Sequence, residues 1–164
     1  ARYYAQRDHD PRWFVQTLQR ASCSLPVLSP PVLVEGRPCV DGGVTDSIPL
    51  MLAIEDGNQR NVVVLTRNAG YRKPPAQLRQ VGRVLLRRYP ALYAAMLRRP
   101  AAYNASLDLV ERMERAGSAF VLRPVRPLVV GRMERDLGRL EALYRQGYDE
   151  TMARMAELET WLRG

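Results

Sequence analysis

Pro38-Cys39-Val40-Asp41-Gly42-Gly43-Val44-Thr45-Asp46-Ser47-Ile48-Pro49 sets a carboxylate at the end of an apolar run and follows it with two residues that permit tight backbone geometry. Upstream, Pro31-Val32-Leu33-Val34-Glu35-Gly36-Arg37 reads as two short extended pieces around a turn at Glu35-Gly36, the second delivering Asp41 at its end. Downstream, Asp46 or Ser47 can cap a helix whose first turn suits Pro49. Two readings of Asp41 stand open on these residues alone. Asp-Gly is a common turn signal. Equally, a carboxylate held at a strand end, with glycines on its far side, lets a substrate or another backbone approach closely.

The helix out of this stretch is expected over Ile48 to Glu55, with Ile48, Leu52 and Ile54 inward and Gly57 as its stop. Asn61-Val62-Val63-Val64-Leu65-Thr66 then reads as a strand covered on both faces, because the β-branched run is uninterrupted. Strand, turn, helix and buried strand form a βαβ pattern, which predicts an α/β layer architecture with ligands at the carboxyl ends of strands.

On the N-terminal side, Asp10-Pro11 starts a helix on which Trp13, Phe14, Thr17 and Leu18 share a face. Prolines 26, 30 and 31 then force an extended connection. Beyond Pro75 the chain reads as helical to Gly117, divided by Pro90 and Pro100, and Ala119 to Pro124 reads as a further short strand. Asp136 caps one long final helix, whose stripe of Leu137, Leu140, Tyr144, Tyr148, Met152, Met155, Leu158 and Leu162 is expected to be core.

Composition bounds the function. The 164 residues are 46% apolar and 26% charged, enough for a real core. The longest uncharged stretch, Ala21 to Val34, is too short for a spanning helix and carries three prolines. Cys23 and Cys39 with the single His9 make neither a disulfide framework nor a plausible zinc site, so no metal is expected and the thiols suit a reducing compartment. The net charge of +8 is concentrated: residues 57–107 hold ten of the 25 basic residues and no acidic one. Within it Arg79, Arg83 and Arg87 fall on one side of an amphipathic pattern, opposite Leu78, Val81, Leu85 and Tyr89. Such a face can be simply solvated or can meet anionic lipid or an acidic partner. No groove-reading or base-stacking motif points to nucleic acid.

Several stretches taken together resemble the second half of bacterial patatin-like phospholipases. They are Ala21-Ser22-Cys23-Ser24-Leu25-Pro26 with Pro30-Pro31, Val40-Asp41-Gly42-Gly43-Val44 with Ile48-Pro49, Val62 to Arg67, and Gly70-Tyr71-Arg72-Lys73. Downstream, Arg87-Arg88-Tyr89-Pro90, Tyr103-Asn104, Phe120 to Pro124, Val130-Gly131-Arg132, Leu143-Tyr144 and Gly147-Tyr148 are similar to the tail of one bacterial subgroup.

The resemblance implies an α/β fold, part of a three-layer α/β/α patatin-like architecture. Residues 1–74 would be the C-terminal part of the catalytic domain, and residues 75–164 a mostly helical region with one added strand near 119–123. It implies a lipid acyl hydrolase working through a Ser-Asp dyad, with no cofactor, on a lipid or acyl ester substrate. Asp41 is then the general base, and Gly42 and Gly43 support backbone and substrate.

The departure is that the family's Gly-x-Ser-x-Gly elbow and Gly-rich oxyanion loop are nowhere in these residues. Ser22 and Ser24 lie among prolines, not on a strand-to-helix turn, and Cys23 replaces a small polar residue. The chain is therefore expected to be a C-terminal piece whose N-terminal half is missing and which does not hydrolyse esters by itself. The expected location is cytoplasmic, with a peripheral seat on the inner membrane face open to it. The alternative reading is a non-catalytic module that docks on anionic membrane or an acidic partner through residues 57–107.

Overall fold

The computed structural model describes residues 1–76, 82, 84, 86–131 and 134–164. They fall into two compact units, one made of Ala1–Pro49 and Lys73–Leu107, the other of Leu50–Arg72 and Asp108–Gly164.

In the first unit, helix α1 runs through Pro11–Trp13, a wider π-helical stretch at Phe14–Gln19, and Arg20–Ser22. Asp10 starts it as the sequence predicts: its Oδ1 accepts the Trp13 N–H at 2.9 Å, and Pro11 takes the first position, where a missing N–H costs nothing. Strands β1 (Val32–Val34) and β2 (Arg37–Cys39) form the expected hairpin, in the register Val32↔Cys39, Leu33↔Pro38, Val34↔Arg37. Glu35 and Gly36 both take positive φ, 50° and 73°, the geometry of a two-residue turn whose twist matches that of the strands. Pro38 is tolerated because, one step from the turn-closing pair, it sits where no ladder N–H is required. Alternation then sorts the hairpin. Val32 and Val34 pack on Leu18 and Ala21, with Tyr4, Trp13, Phe14 and Cys39 around them, while Leu33 faces out.

The later part of this unit adds most of helix α3 (Pro90–Arg115), whose residues up to Leu107 belong here. The sequence predicts a division at Pro100, and the helix runs straight through it. Proline at that point removes one N–H and crowds the preceding turn, at about 3 kcal/mol. Pro100 is buried, and twenty-six residues of helix supply packing and hydrogen bonds enough to offset a single defect. Asn104 on this helix clamps the chain at Lys73, accepting its N–H at 2.8 Å and donating to its carbonyl at 3.1 Å. The amide nitrogen of the Asn104-Ala105-Ser106 sequon is thus already committed.

In the second unit, α2 (Leu50–Glu55) packs on β3 (Asn61–Val64), which pairs in parallel with β4 (Ala119–Leu122) in the register Asn61↔Ala119 to Val64↔Leu122. Three expectations need correction. The helix starts at Leu50 rather than Ile48, and Leu50 is its buried residue, Leu52 and Ile54 being half-covered. Gly57, with φ of 91°, does end it. The parallel crossover joins β3 to β4 through α3, whereas among the described residues β2 pairs with β1 alone. Nor is β3 covered on both faces: Val63 and Leu65 are buried, but Val62 and Val64 face out. The apolar run marks a strand correctly, yet coverage depends on which layers lie against it.

Asp136 caps α4 (Leu137–Met152) through Oδ1 and the Arg139 N–H, 3.0 Å. The single long helix expected here is two, because α5 (Met155–Arg163) begins after a break at Ala153 and Arg154. Arg154 donates to the Val121 carbonyl at 2.6 Å and lies 4.5 Å over the Phe120 ring, so β4 holds the chain at the break. Trp161 completes the docking of α5, 5.8 Å from Phe120 and donating to the Gly117 carbonyl at 2.9 Å. Leu158 is buried, and the rest of the predicted core stripe is exposed.

Candidate functional site around Asp41

Asp41 stands two residues beyond β2, and its backbone is tied back to the proline-rich connection: the Asp41 N–H donates to the Ser24 carbonyl at 2.9 Å. Ser24 is itself the buried polar residue of that connection, its hydroxyl donating to the Pro30 carbonyl at 2.7 Å. Prolines 26, 30 and 31 stiffen the loop, and Ser24 joins its two ends. This anchor fixes where β2 delivers the carboxylate.

Past Asp41 the chain makes a single 3-10 turn at Gly42–Val44, with Val44 buried beneath it. Asp41 Oδ1 caps that turn, accepting the Gly43 N–H at 2.7 Å. The motif is thus a capped turn after a hairpin, and the hairpin's own turn lies at Glu35-Gly36. Among the described residues Oδ2 of Asp41 takes no hydrogen bond, and the residue is only half-buried.

The carbonyl of Gly43 is pinned twice, by the Ser47 hydroxyl at 2.6 Å and by Arg99 Nε at 2.7 Å. Asp46 accepts a hydrogen bond from the Tyr3 hydroxyl and donates its N–H to the Gly42 carbonyl at 2.9 Å. The side chains of Asp46 and Ser47 are therefore engaged with Tyr3 and the glycine turn, not in the helix-capping role their positions suggest. Arg99 is the residue that sequence reasoning misses. It lies 56 positions from Gly43 on another element, and no local motif connects the two.

The two glycines differ. A side chain at Gly43 would meet Asp41 Oδ1 at 2.9 Å, whereas one at Gly42 would meet nothing within 4 Å. A side chain at Gly43 would displace the carboxylate from its present position, and Gly42 leaves open space beside it.

Chemically, one carboxylate oxygen is oriented and the other is available to accept a proton. A nucleophile is a separate matter. Each seryl hydroxyl has one proton to donate, and Ser24 and Ser47 give theirs to the Pro30 and Gly43 carbonyls. Neither is paired with Asp41. His9 sits between Tyr4 and Trp13, with ring centroids 5.5 Å and 4.9 Å away, as an aromatic-cluster residue, and an open depression beside it is lined by Ala5, Gln6, Arg7 and Pro11. Cys23 and Cys39 are free thiols. Among the described residues no three His, Cys, Asp or Glu side chains gather as metal ligands, and no helix is long and apolar enough to cross a membrane. Of the predicted basic contact residues, Arg79 and Arg83 lie outside the described residues, and Arg87 is exposed.

Comparison with characterised proteins gave no match. Residues 89–163, from α3 to the end of α5, match a domain of unknown function (DUF6363). Residues 1–54, which hold α1, the hairpin and Asp41-Gly42-Gly43 with its anchors Ser24 and Ser47, match the patatin-like phospholipase family.

Proposed function

We propose that this chain carries the base of a patatin-like lipid acyl hydrolase, with Asp41 in that role. The observation that carries the reading is the oriented carboxylate: Asp41 is held by Ser24 through its backbone and by Gly43 through Oδ1, inside the segment that matches the family. In this mechanism Asp41 takes the proton of a serine hydroxyl as that oxygen attacks the ester carbonyl, and passes it to the departing alcohol as the tetrahedral adduct collapses to an acyl-enzyme. It next takes a proton from water, whose oxygen attacks the acyl carbon, and returns it to the serine as the acid leaves. The open side of Gly42 suits the approach of the reacting groups.

The serine and the oxyanion donors must come from polypeptide outside residues 1–164, so these residues alone should not turn over esters. Oxyanion stabilisation is usually the largest single contribution to such a reaction, and a lone aspartate does not replace it.

The test has two parts. The purified chain is assayed with a p-nitrophenyl ester, and no turnover above background is expected. The coding sequence upstream of Ala1 is then read for an in-frame Gly-x-Ser-x-Gly, and the longer protein is assayed with and without Asp41→Asn. Loss of kcat by roughly 10²–10⁴-fold is expected. Undiminished activity of that variant would end the assignment of Asp41, and turnover by residues 1–164 alone would end the requirement for an outside nucleophile.

A further inference from the structure

Helix α4 presents its most apolar face to water. Leu137, Leu140, Tyr144, Tyr148 and Met152 follow one another at spacings of three and four, which places them on one side of the helix. Leu137 is 80% exposed and Tyr144 71%. The opposite side is the one used within its own unit: Leu143, Gln146 and Glu150 are half-buried, and Glu150 accepts hydrogen bonds from Gln146 at 2.9 Å and from the Val125 N–H at 3.1 Å. Helix and unit are thus already joined, and the outward stripe is surplus to that joint. The rings of Tyr144 and Tyr148 stack on it at 6.5 Å, which presents a continuous aromatic ridge.

Two quantities select the occupant. With aromatic side chains of about 150–250 Å² each, the stripe leaves roughly 600 Å² of surface uncovered, at the top of what an ordinary monomer shows. Two such faces together cover about 1,200 Å², above the ~1,000 Å² that a specific interface needs. Charge decides against lipid. Residues 137–152 hold Arg139 and Arg145 against Glu141, Asp149 and Glu150, one net negative charge, where an anionic membrane calls for a basic helix.

The charges also set a register. Glu141 and Arg145 border the stripe on one flank, one turn apart, and pair within the chain at 2.6 Å. In an antiparallel pair of helices related by a two-fold axis, the same flank of each copy faces the other with its direction reversed. The midpoint of Leu137 and Tyr148 falls between residues 142 and 143, and that of Glu141 and Arg145 falls at residue 143. One axis therefore sets Leu137 against Tyr148 of a second copy, brings Leu140 and Tyr144 to the centre, and places Glu141 beside Arg145.

We propose that α4 is a self-association face through which two copies of this chain pair antiparallel, with Leu140 and Tyr144 at the centre and reciprocal Glu141–Arg145 contacts along one edge.

Sedimentation equilibrium of the whole chain, across concentrations up to hundreds of micromolar, tests the proposal. A concentration-dependent mass approaching twice 18.7 kDa is expected. Tyr144→Glu and Leu140→Glu should each return the chain to a monomer with an unchanged circular dichroism spectrum, since both side chains are exposed. Glu141→Arg and Arg145→Glu, examined singly, should each weaken pairing roughly tenfold. An equimolar mixture of those two variants should recover it, because each then meets its opposite. A chain that is monomeric throughout overturns the proposal, as does a dimer indifferent to Tyr144→Glu. Loss of pairing in the charge variants without recovery on mixing overturns the antiparallel register. Flotation of the monomeric chain with neutral phosphatidylcholine vesicles, abolished by Tyr144→Glu, would assign the face to lipid instead.

Discussion

Asp41 is oriented by bonds that run along the backbone on both sides of it, from the Ser24 carbonyl before and the Gly43 N–H after. That arrangement explains why the two glycines are not equivalent. Gly43→Ala drives a methyl group against Asp41 Oδ1, 2.9 Å from the new carbon, and the carboxylate must swing off the Gly43 N–H. A loss of about 1 kcal/mol is expected, the usual net worth of one such hydrogen bond. Gly42→Ala, facing open space, should change stability much less. Urea unfolding of the two variants side by side reads the difference, and equal losses would show that the contact with Asp41 does not decide the matter. Arg99 belongs to the same constellation. Its guanidinium holds the Gly43 carbonyl from another helix, so it positions the turn rather than the carboxylate itself.

Helices α1 and α4 begin where local chemistry tells them to, and the break between α4 and α5 falls where tertiary contacts decide. Asp10 and Asp136 each accept the N–H three residues ahead and open α1 and α4. Asp136→Ala should therefore cost about 1 kcal/mol in urea unfolding and fray the first turn of α4, with Asp136→Asn recovering most of the loss. A neutral outcome for Asp136→Ala would mean that Glu134 already secures this end, since its Oε1 accepts the N–H groups of Arg135 and Asp136 at 2.9 Å and 3.1 Å. Those two backbone bonds, with a smaller contribution from Arg139, hold the Glu134 carboxyl below its ordinary value despite some desolvation. Interior decisions go the other way. Pro100 does not break α3, whereas Arg154, a good helix former, sits at the break between α4 and α5 because its side chain is drawn to Val121 and Phe120.

For the molecule as a whole, the concentrated positive charge is partly answered. Arg72, one of the ten basic residues of 57–107, donates to Glu111 at 3.0 Å and 3.2 Å and to Asp108 at 2.9 Å, and beyond that segment Arg123 bonds Glu114, all within the second unit. The hydrogen bond from Arg72 holds the Glu111 carboxyl below its ordinary value. Desolvation opposes this, while the charges of Arg72, Arg123 and Arg115 reinforce it. A carboxylate depressed on folding contributes stability that is complete above its unfolded value, near pH ~4.3, and is lost as pH falls through the lower folded value. Glu111→Gln should accordingly destabilise the protein near neutral pH, and the difference from the unaltered chain should fade as acid protonates the folded carboxyl. A gap that stayed constant through acid titration would remove Glu111 from the acid response.

Local chemistry made much of this protein readable. The Glu35-Gly36 hairpin, the stop at Gly57, the Asp10 and Asp136 caps, the strands at 61–64 and 119–122 and the placing of Asp41 at a strand end all follow from residues a few positions apart, whose propensities act within a turn or a ladder step. What only the tertiary structure decided depends on partners far along the chain. Arg99 reaches Gly43, β3 pairs with β4 rather than with the hairpin, Val62 and Val64 face out of a strand that reads as fully apolar, and the Leu137 to Met152 stripe faces solvent. Periodicity identifies which side chains share a face. Whether that face is covered depends on what the rest of the fold brings against it, and no spacing within a single helix or strand encodes that.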